Sequence, residues 1–209
     1  MVPIVIPSGR RERKKLDTRE RLLQVALALF VAHGYEATSM DEIAERSDVS
    51  RGTVFNYFAR KEDFLLAWIE SRRAAARAVL ARIDARSSTA TRVRDALVAI
   101  CRLHERDGRA SRALVRCWLR CGGPLLEHAA DTALLLRGVL RAGRARGDVR
   151  RDVSCDAAAR AIHALYLGAL YRWAADARLG SSTLTRDLLA GLDPYLRGLL
   201  VAPNPRRKS

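Results

Sequence analysis

Apolar residues at helical spacing are the feature that most constrains how this chain can fold. The first such set follows Thr18 and consists of Leu22, Leu23, Ala26, Leu29 and Phe30. Residues spaced three and four apart share one face of an α-helix. Long stretches are rich in Ala, Leu, Arg and Glu, which favour helices, and alternating Val/Ile/Thr runs typical of strands are not seen. The 209 residues therefore predict an all-α fold of one large domain or two small ones.

Start and stop signals divide the residues that follow into short helices. Gly34 stands where a glycine commonly ends a helix. Ser39 and Glu42 form an S-x-x-E capping box for a second helix, which is expected to end near Ser47-Asp48. A fourth helix is expected to start near Lys61, with acidic residues in its first turn.

The segment between these signals combines a helical period with a polar face. Ser50 is the expected N-cap of a helix over residues 51–57, on which Val54 and Phe58 face inward. The outward arc consists of Arg51, Gly52, Thr53, Asn56 and Tyr57. Two short helices joined by a tight turn are typical of a helix-turn-helix, whose second helix lies in the DNA major groove. Spacing alone leaves open an ordinary helical hairpin with a hydrated polar face.

The polar side chains of this segment match the chemistry of DNA. Arg51 can donate to guanine O6 and N7, Thr53 offers a hydroxyl and a methyl suited to thymine, and Asn56 suits adenine or a phosphate. Tyr57 and the start of the helix from Lys61 are natural phosphate anchors.

The net charge of +15 carries less information than these positions. Residues 1–60 carry a net charge of +2 and the remainder +13, most of it Arg in Ala-rich segments. A hydrated Arg-rich surface is the preferred interpretation, and a second nucleic-acid face is the alternative. Bulk positive charge raises non-specific DNA affinity in either case.

The run TSMDEIAERSDVSRGTVFNYFARKEDFL, preceded by FVAHGYEATS, resembles the DNA-binding signature of the TetR family of bacterial repressors over about residues 17–66. The resemblance implies DNA contacts from Ser39, Ser50, Arg51, Gly52, Thr53, Asn56, Tyr57 and Lys61. Two positions depart from the family pattern. Ser47-Asp48 stands where Ala-Gly is usual, although Asp tolerates left-handed geometry. Phe55 stands where Tyr is common, so a hydroxyl that could reach a phosphate is missing.

Four segments are expected along the chain: a disordered basic arm over 1–16, a helix-turn-helix DNA-binding domain over 17–60, a helical effector-binding and dimerisation domain over 61–202, and a disordered tail over 203–209. Expected helices in the larger domain span about 61–85, 90–106, 109–121, 124–146, 155–178 and 183–200. The basic residues of the arm are Arg10, Arg11, Arg13, Lys14 and Lys15. They either enter the minor groove or serve as a solubilising tail.

The helix expected over 155–178 is apolar almost all round, so it must be buried on more than one side. One side would face the core of its own chain and the other a second subunit, and the segment 183–200 carries a second apolar stripe. The resemblance implies a homodimer through a four-helix bundle of these two segments. A two-fold dimer would present its recognition helices to a palindromic operator in double-stranded DNA.

The resemblance also implies a pocket for an unidentified small molecule, whose binding would release the operator. Candidate lining residues combine bulk with a polar group and are Cys101, His104, Trp118, Tyr166 and Trp173. Ordinary core packing is the alternative for each.

Other classes of function find little support in the residues. Cys117 and Cys121, one helical turn apart, could bind a soft metal or act as a thiol switch, but no second ligand pair has zinc-site spacing. Small buried thiols are preferred, and no nucleophile–base motif is present, so we expect neither an enzyme nor a cofactor. No apolar run reaches bilayer length, and a cytoplasmic protein with reduced thiols is expected. The alternative function is an architectural DNA-binding protein without an effector, which would show little sequence preference.

Overall fold

The computed structural model describes residues 9–84, 86–120, 129–176, 178, 180 and 183–200. In these ranges the regular elements are α1 (Arg10–Ala32), α2 (Met40–Arg46), α3 (Arg51–Tyr57), α4 (Glu62–Arg82), α5 (Thr89–Arg120), α6 (Ala129–Ala145), α7 (Cys155–Ala175) and α8 (Thr183–Leu199). Extended pairing in the described part of the chain is a single antiparallel bridge between Val149 and Leu200. The prediction of an all-α fold is confirmed.

The structure differs from the expected disordered arm over 1–16, because α1 already begins at Arg10. The residues of the cluster RRERKK are good helix formers, Glu12 lies in the first turn, and the Thr18 hydroxyl donates to the Lys14 carbonyl at 2.8 Å. Residues 10–16 are therefore helical. Residues 1–8 and the expected tail over 203–209 lie outside the described residues.

The chain divides into two compact units, Met1–Ile69 and Glu70–Ser209. The division falls within α4, whereas the sequence placed it between residues 60 and 61. The reason is that the first two turns of α4 bury Phe64, Leu65 and Trp68, each at most 4% exposed. Phe64 lies among the aromatic side chains of the first unit, which assigns this end of α4 to that unit.

An aromatic cluster forms the centre of the first unit. The Phe58 and Phe64 rings stack with centroids 4.0 Å apart, and the Phe30 ring meets Phe64 edge-on at 6.3 Å. Tyr35 follows Gly34, whose φ of +91° ends α1 in the left-handed region that favours glycine, and its ring lies 5.0 Å from that of Phe30. The cluster holds α1, α4 and the end of α3 together.

The second unit packs α7 against α5, α6 and α8. The sequence predicted separate helices over 90–106 and 109–121, and the structure joins them as α5 with a kink at Gly108, whose φ is +47° and ψ −112°. Only glycine adopts this backbone conformation without strain. The first five residues of the helix expected over 124–146 lie outside the described residues.

The start of α5 approaches the end of α6 very closely. The buried Thr89 hydroxyl donates to Asp148 Oδ2 at 2.9 Å, and Arg146 donates to the same oxygen at 2.9 Å. A Cβ atom added at Gly143 would lie 3.0 Å from both Cβ and Cγ2 of Thr89, and closer still to its hydroxyl. Glycine at 143 is therefore required by the packing of α5 on α6.

Substituting Gly143 by Ala should destabilise the protein by about 1–3 kcal/mol, because overpacking forces neighbouring atoms to move. The matched control is Gly138→Ala on the same helix, where an added Cβ meets nothing within 4 Å. That change should raise stability by up to about 1 kcal/mol through helix propensity. Urea unfolding followed by circular dichroism measures both. Equal effects of the two substitutions would contradict the close approach.

Candidate nucleic-acid interface and ligand site

Side-chain caps fix the short helices of the first unit. The Ser39 hydroxyl accepts the backbone N–H of Glu42 at 3.0 Å, as the capping box predicted. The Glu42 carboxylate lies 3.0 Å from His33 Nδ1 and so ties α2 to the end of α1. The Ser50 hydroxyl accepts the backbone N–H of Thr53 at 3.1 Å, which confirms it as the N-cap of α3.

The turn between α2 and α3 contains the irregular Ser47-Asp48 pair. Asp48 has a φ of +50°, in the left-handed region that Gly enters without strain and that Asp tolerates. Ser47 is buried, and the backbone N–H of Val49 closes the turn on the Ala44 carbonyl at 3.1 Å. An aspartate can thus occupy the place of the usual glycine.

The outer face of α3 is accessible as predicted. Val54 and Phe58 are 0% and 2% exposed and fix the helix to the unit. Ser39, Ser50, Arg51, Gly52 and Asn56 are exposed, and Thr53 and Tyr57 are half-buried. The structure therefore places seven of the eight expected DNA contacts on accessible positions around α3 and the start of α2. Their contact with DNA stays a prediction.

Lys61, the eighth expected contact, is engaged inside the first unit. Its ammonium group donates to the carbonyl oxygens of Tyr35 at 2.7 Å and Thr38 at 3.0 Å and lies 4.3 Å from the centroid of the Tyr35 ring. The lysine therefore clamps the turn between α1 and α2. Of the three N–H donors of the ammonium group, the third remains for a contact with a DNA phosphate.

Two residues that contact Arg51 were not predicted as its partners from the sequence. Asp41 Oδ1 lies 3.1 Å from Arg51 Nε, and the Arg51 guanidinium carbon lies 5.4 Å from the centroid of the Phe55 ring. The i, i+4 spacing of Arg51 and Phe55 could have indicated their contact. The approach of Asp41 depends on the angle between α2 and α3, which spacing does not supply.

The expected ligand residues lie in the interior of the second unit, and His104 is the centre of their contacts. The Ser111 hydroxyl lies 2.6 Å from His104 Nδ1, and the Tyr166 hydroxyl lies 3.2 Å from Nε2. The Trp173 ring meets the imidazole edge-on, with centroids 6.4 Å apart. Cys101 lies one turn earlier on α5, and burial raises the pKa of its thiol. These four candidates are brought together.

Trp118, the fifth candidate, lies close to Tyr171, with ring centroids 6.3 Å apart. Among the described residues, the indole N–H groups of Trp118 and Trp173 and the Tyr171 hydroxyl are buried without a hydrogen-bond partner. Trp173 also lines a cavity of about 730 Å³ between α7 and α8, together with Arg172, Ala175, Asp176, Thr183, Arg186, Asp187 and Ala190. Trp173 is the member of the five candidates that lines this cavity, and its unpartnered indole N–H suits a ligand with an acceptor atom.

Of the pair Cys117 and Cys121, the second residue lies outside the described residues. Cys117 is half-buried and is a free thiol. Within the described ranges no group of three or more His, Cys, Asp or Glu side chains could hold a metal ion. No helix in these ranges is both long and apolar enough to cross a membrane.

Burial, with a smaller effect of the Arg72 charge, lowers the pKa of His104 from 6.5 to about 3. As the pH falls below about 6.5, the unfolded chain binds a proton that folded His104 does not, so stability declines until about pH 3. Between pH 7 and pH 5 the wild type should lose about 2 kcal/mol more than His104→Gln. Urea unfolding at the two pH values measures the difference. An equal loss in both proteins would show that folded His104 titrates normally.

Removing the Lys61 clamp should destabilise the first unit. Lys61→Met deletes two charge-assisted hydrogen bonds to backbone carbonyls, which costs about 1.5–3 kcal/mol. Arg60→Met, which removes a largely exposed cation one residue away, should change stability by less than about 0.5 kcal/mol. Thermal unfolding of the full chain without DNA compares the two. A Lys61 variant as stable as the Arg60 variant would argue against the clamp.

Known proteins similar to this chain are helix-turn-helix regulators, in agreement with the arrangement of α2 and α3. The model of the tetR family of bacterial regulatory proteins matches residues 22–68. The chain is 30% identical over 188 residues to the HTH-type transcriptional repressor KstR of Rhodococcus jostii, with 84% of each chain covered. It is 35% identical over 131 residues to the HTH-type transcriptional regulator TcmR of Streptomyces glaucescens, covering 57% of this chain and 56% of TcmR. Against TcmR the match thus spans little more than half of that protein's length.

Among solved structures, a complex of SmeT with triclosan matches with a TM-score of 0.71 at 26% identity, covering 90% of this chain and 93% of SmeT. SmeT is the repressor of the multidrug efflux pump SmeDEF of Stenotrophomonas maltophilia. A capped, outward-facing α3 followed by a larger helical unit defines a helix-turn-helix transcriptional regulator. The extent of the match to KstR, together with the family model, shows that this chain belongs to the TetR family.

Proposed function

We propose that this protein is a ligand-responsive repressor that binds a palindromic operator as a homodimer and is released by a small molecule. The observation that carries the proposal is the surface of α3, where polar side chains project from a helix fixed by two buried residues. Arg51, Thr53 and Asn56 would read bases. Ser39, Ser50, Gly52, Tyr57 and Lys61 would contact the DNA backbone. The repressors KstR and SmeT support the direction of regulation.

The homodimer is proposed to form through α7 and α8. The inner face of α7 is buried within its own unit, while Ala157, Ala164 and Ala175 stay exposed in the single chain. On α8, Ala190, Gly191, Pro194 and Gly198 are exposed. Small side chains on both helices allow close approach of a second copy, and two-fold symmetry repeats the recognition helix for the second half-site.

The effector is proposed to bind among α5, α7 and α8, beside Trp118 and Trp173. Their indole N–H groups would donate to an acceptor atom of the ligand, and the 730 Å³ cavity is within the range of ligand sites. Cys101, His104 and Tyr166 do not line this cavity; they would act on the effector through Trp173, whose ring contacts His104. The triclosan complex of SmeT supports an apolar effector with a polar group.

Selection of operators from randomised DNA with the full chain tests the central proposal. The selected sequence should contain two half-sites about 10 base pairs apart and should bind at least about 10³-fold more tightly than scrambled DNA. Arg51→Ala should weaken binding to the selected site by about 1–3 kcal/mol and relax the preference at one base pair. Comparable affinity for all duplexes would instead favour the architectural function.

Placing a charge on the proposed dimer face should separate the subunits. Ala164→Glu on α7 buries a carboxylate between the two copies, so light scattering should report a mass near 23.2 kDa, and operator affinity should fall at least tenfold. Ala142→Glu, at an exposed position of α6, is the control and should remain dimeric. A monomeric wild type, or a dimer unaffected by the α7 charge, would contradict this interface.

A screen of apolar small molecules for operator release would identify the effector. Once one is found, Trp173→Phe should raise the concentration needed for release, because it removes the N–H donor together with part of the buried indole ring; thermal unfolding verifies that the variant folds. An unchanged response would place the effector elsewhere.

A further inference from the structure

We propose that Asp41, Arg51 and Phe55 act as one reading unit that recognises a guanine with a thymine on the neighbouring base pair in each half-site. The inference deepens the proposed DNA-binding function and rests on it. Arg51 would be the guanine-reading residue, Phe55 the contact to the thymine methyl group, and Asp41 a positioning residue.

The geometry of Arg51 supports this assignment. Arg51 is the first residue of α3, and its Nε lies 3.1 Å from Asp41 Oδ1 in the first turn of α2. The Arg51 and Asp41 side chains are 66% and 62% exposed. Because the ion pair is made through Nε, the edge formed by the two terminal amino groups remains to donate to guanine O6 and N7 together.

Phe55 is an exposed phenyl group on an otherwise polar face. It is 41% exposed, because Val54 and Phe58 already supply the packing of α3 against its unit. The large apolar partner that the major groove offers is the C5-methyl group of thymine. The apolar Phe55 ring would therefore pack against the methyl group of a thymine in the major groove.

The distance between the two side chains indicates that they read adjacent base pairs. The Arg51 guanidinium carbon lies 5.4 Å from the centroid of the Phe55 ring, whereas successive base pairs are separated by about 3.4 Å. Groups so close together reach one base-pair step rather than distant parts of the half-site. The expected half-site therefore contains a G·C pair next to an A·T pair.

The proposed role of Asp41 is to limit the orientations of the long, flexible Arg51 side chain. Exposed ion pairs add little stability, so a contribution to folding does not explain the pair. The negative charge of the Asp41 carboxylate also repels the negative phosphates of the DNA backbone. Removing its charge should therefore lower discrimination at the guanine while leaving non-specific affinity unchanged or higher.

The experiment uses the full chain, the selected operator and two chemically altered operators. Deoxyuridine in place of the thymine removes only the methyl group, and 7-deazaguanine removes the N7 acceptor. Deoxyuridine should weaken wild-type binding about fourfold, the effect of one buried methyl group, and should not weaken Phe55→Ala further. The N7 deletion should weaken the wild type about tenfold or more and leave Arg51→Ala unchanged.

Asp41→Asn should lower the preference for guanine over the other bases at that position about tenfold, while affinity for a scrambled duplex stays equal or rises. Glu45→Gln is the matched control, because it removes the same charge from an exposed position of α2. It should leave the base preference intact. Thermal unfolding verifies that all variants fold.

The positioning role is overturned if Asp41→Asn and Glu45→Gln behave alike. An equal deoxyuridine effect in wild type and Phe55→Ala overturns the methyl contact. A selected half-site without adjacent G·C and A·T pairs overturns the reading unit as a whole. Failure of the proposed function would be seen differently, as a wild type with no sequence preference, and would overturn this inference with it.

Discussion

The stacking of Phe58 on Phe64 is the interaction on which the proposed DNA face depends. The centroids of the two rings lie 4.0 Å apart. The guanidinium carbon of Arg19, on α1, lies 4.9 Å from the centroid of the Phe58 ring. α3 has only seven residues, too few to be stable alone, so tertiary packing must hold it. Phe58 provides that packing at the end of α3, and Val54 provides it within the helix.

The same need for outside support explains why polar groups near α3 are engaged with one another. The Ser50 and Thr53 hydroxyls lie 2.9 Å apart, Glu42 meets His33, and Lys61 spans two carbonyls of the turn between α1 and α2. Each contact joins residues that belong to different elements or to a helix end. Together these contacts stabilise α2 and α3, which are too short to be stable through their own hydrogen bonds. They also restrict the orientations of the outer side chains of α3.

Much of this architecture follows from local sequence signals. The caps at Ser39 and Ser50, the stop at Gly34 and the inward direction of Val54 and Phe58 are set by residues within one helical turn, and they were predicted. The pairing of Asp41 with Arg51 and the Lys61 clamp join residues whose distance depends on tertiary packing, and they were not. The helical state of residues 10–16 was not predicted, because the charge of the cluster RRERKK favours a disordered arm whereas its helix propensity favours α1. The same limit applies to the ligand site: side chains suited to one could be named, but which donors stay open depends on the packed core.

The polar contacts of His104 also serve the assembly of the core. The second unit packs largely with Ala and Leu, which carry no polar side-chain group that could fix one alignment of neighbouring helices. Moving α7 by one turn, about 5.4 Å, would separate Tyr166 from His104 and leave buried polar groups without partners, at a cost of several kcal/mol. The buried imidazole thus favours one alignment of α5 and α7 over others that hydrophobic packing alone would permit.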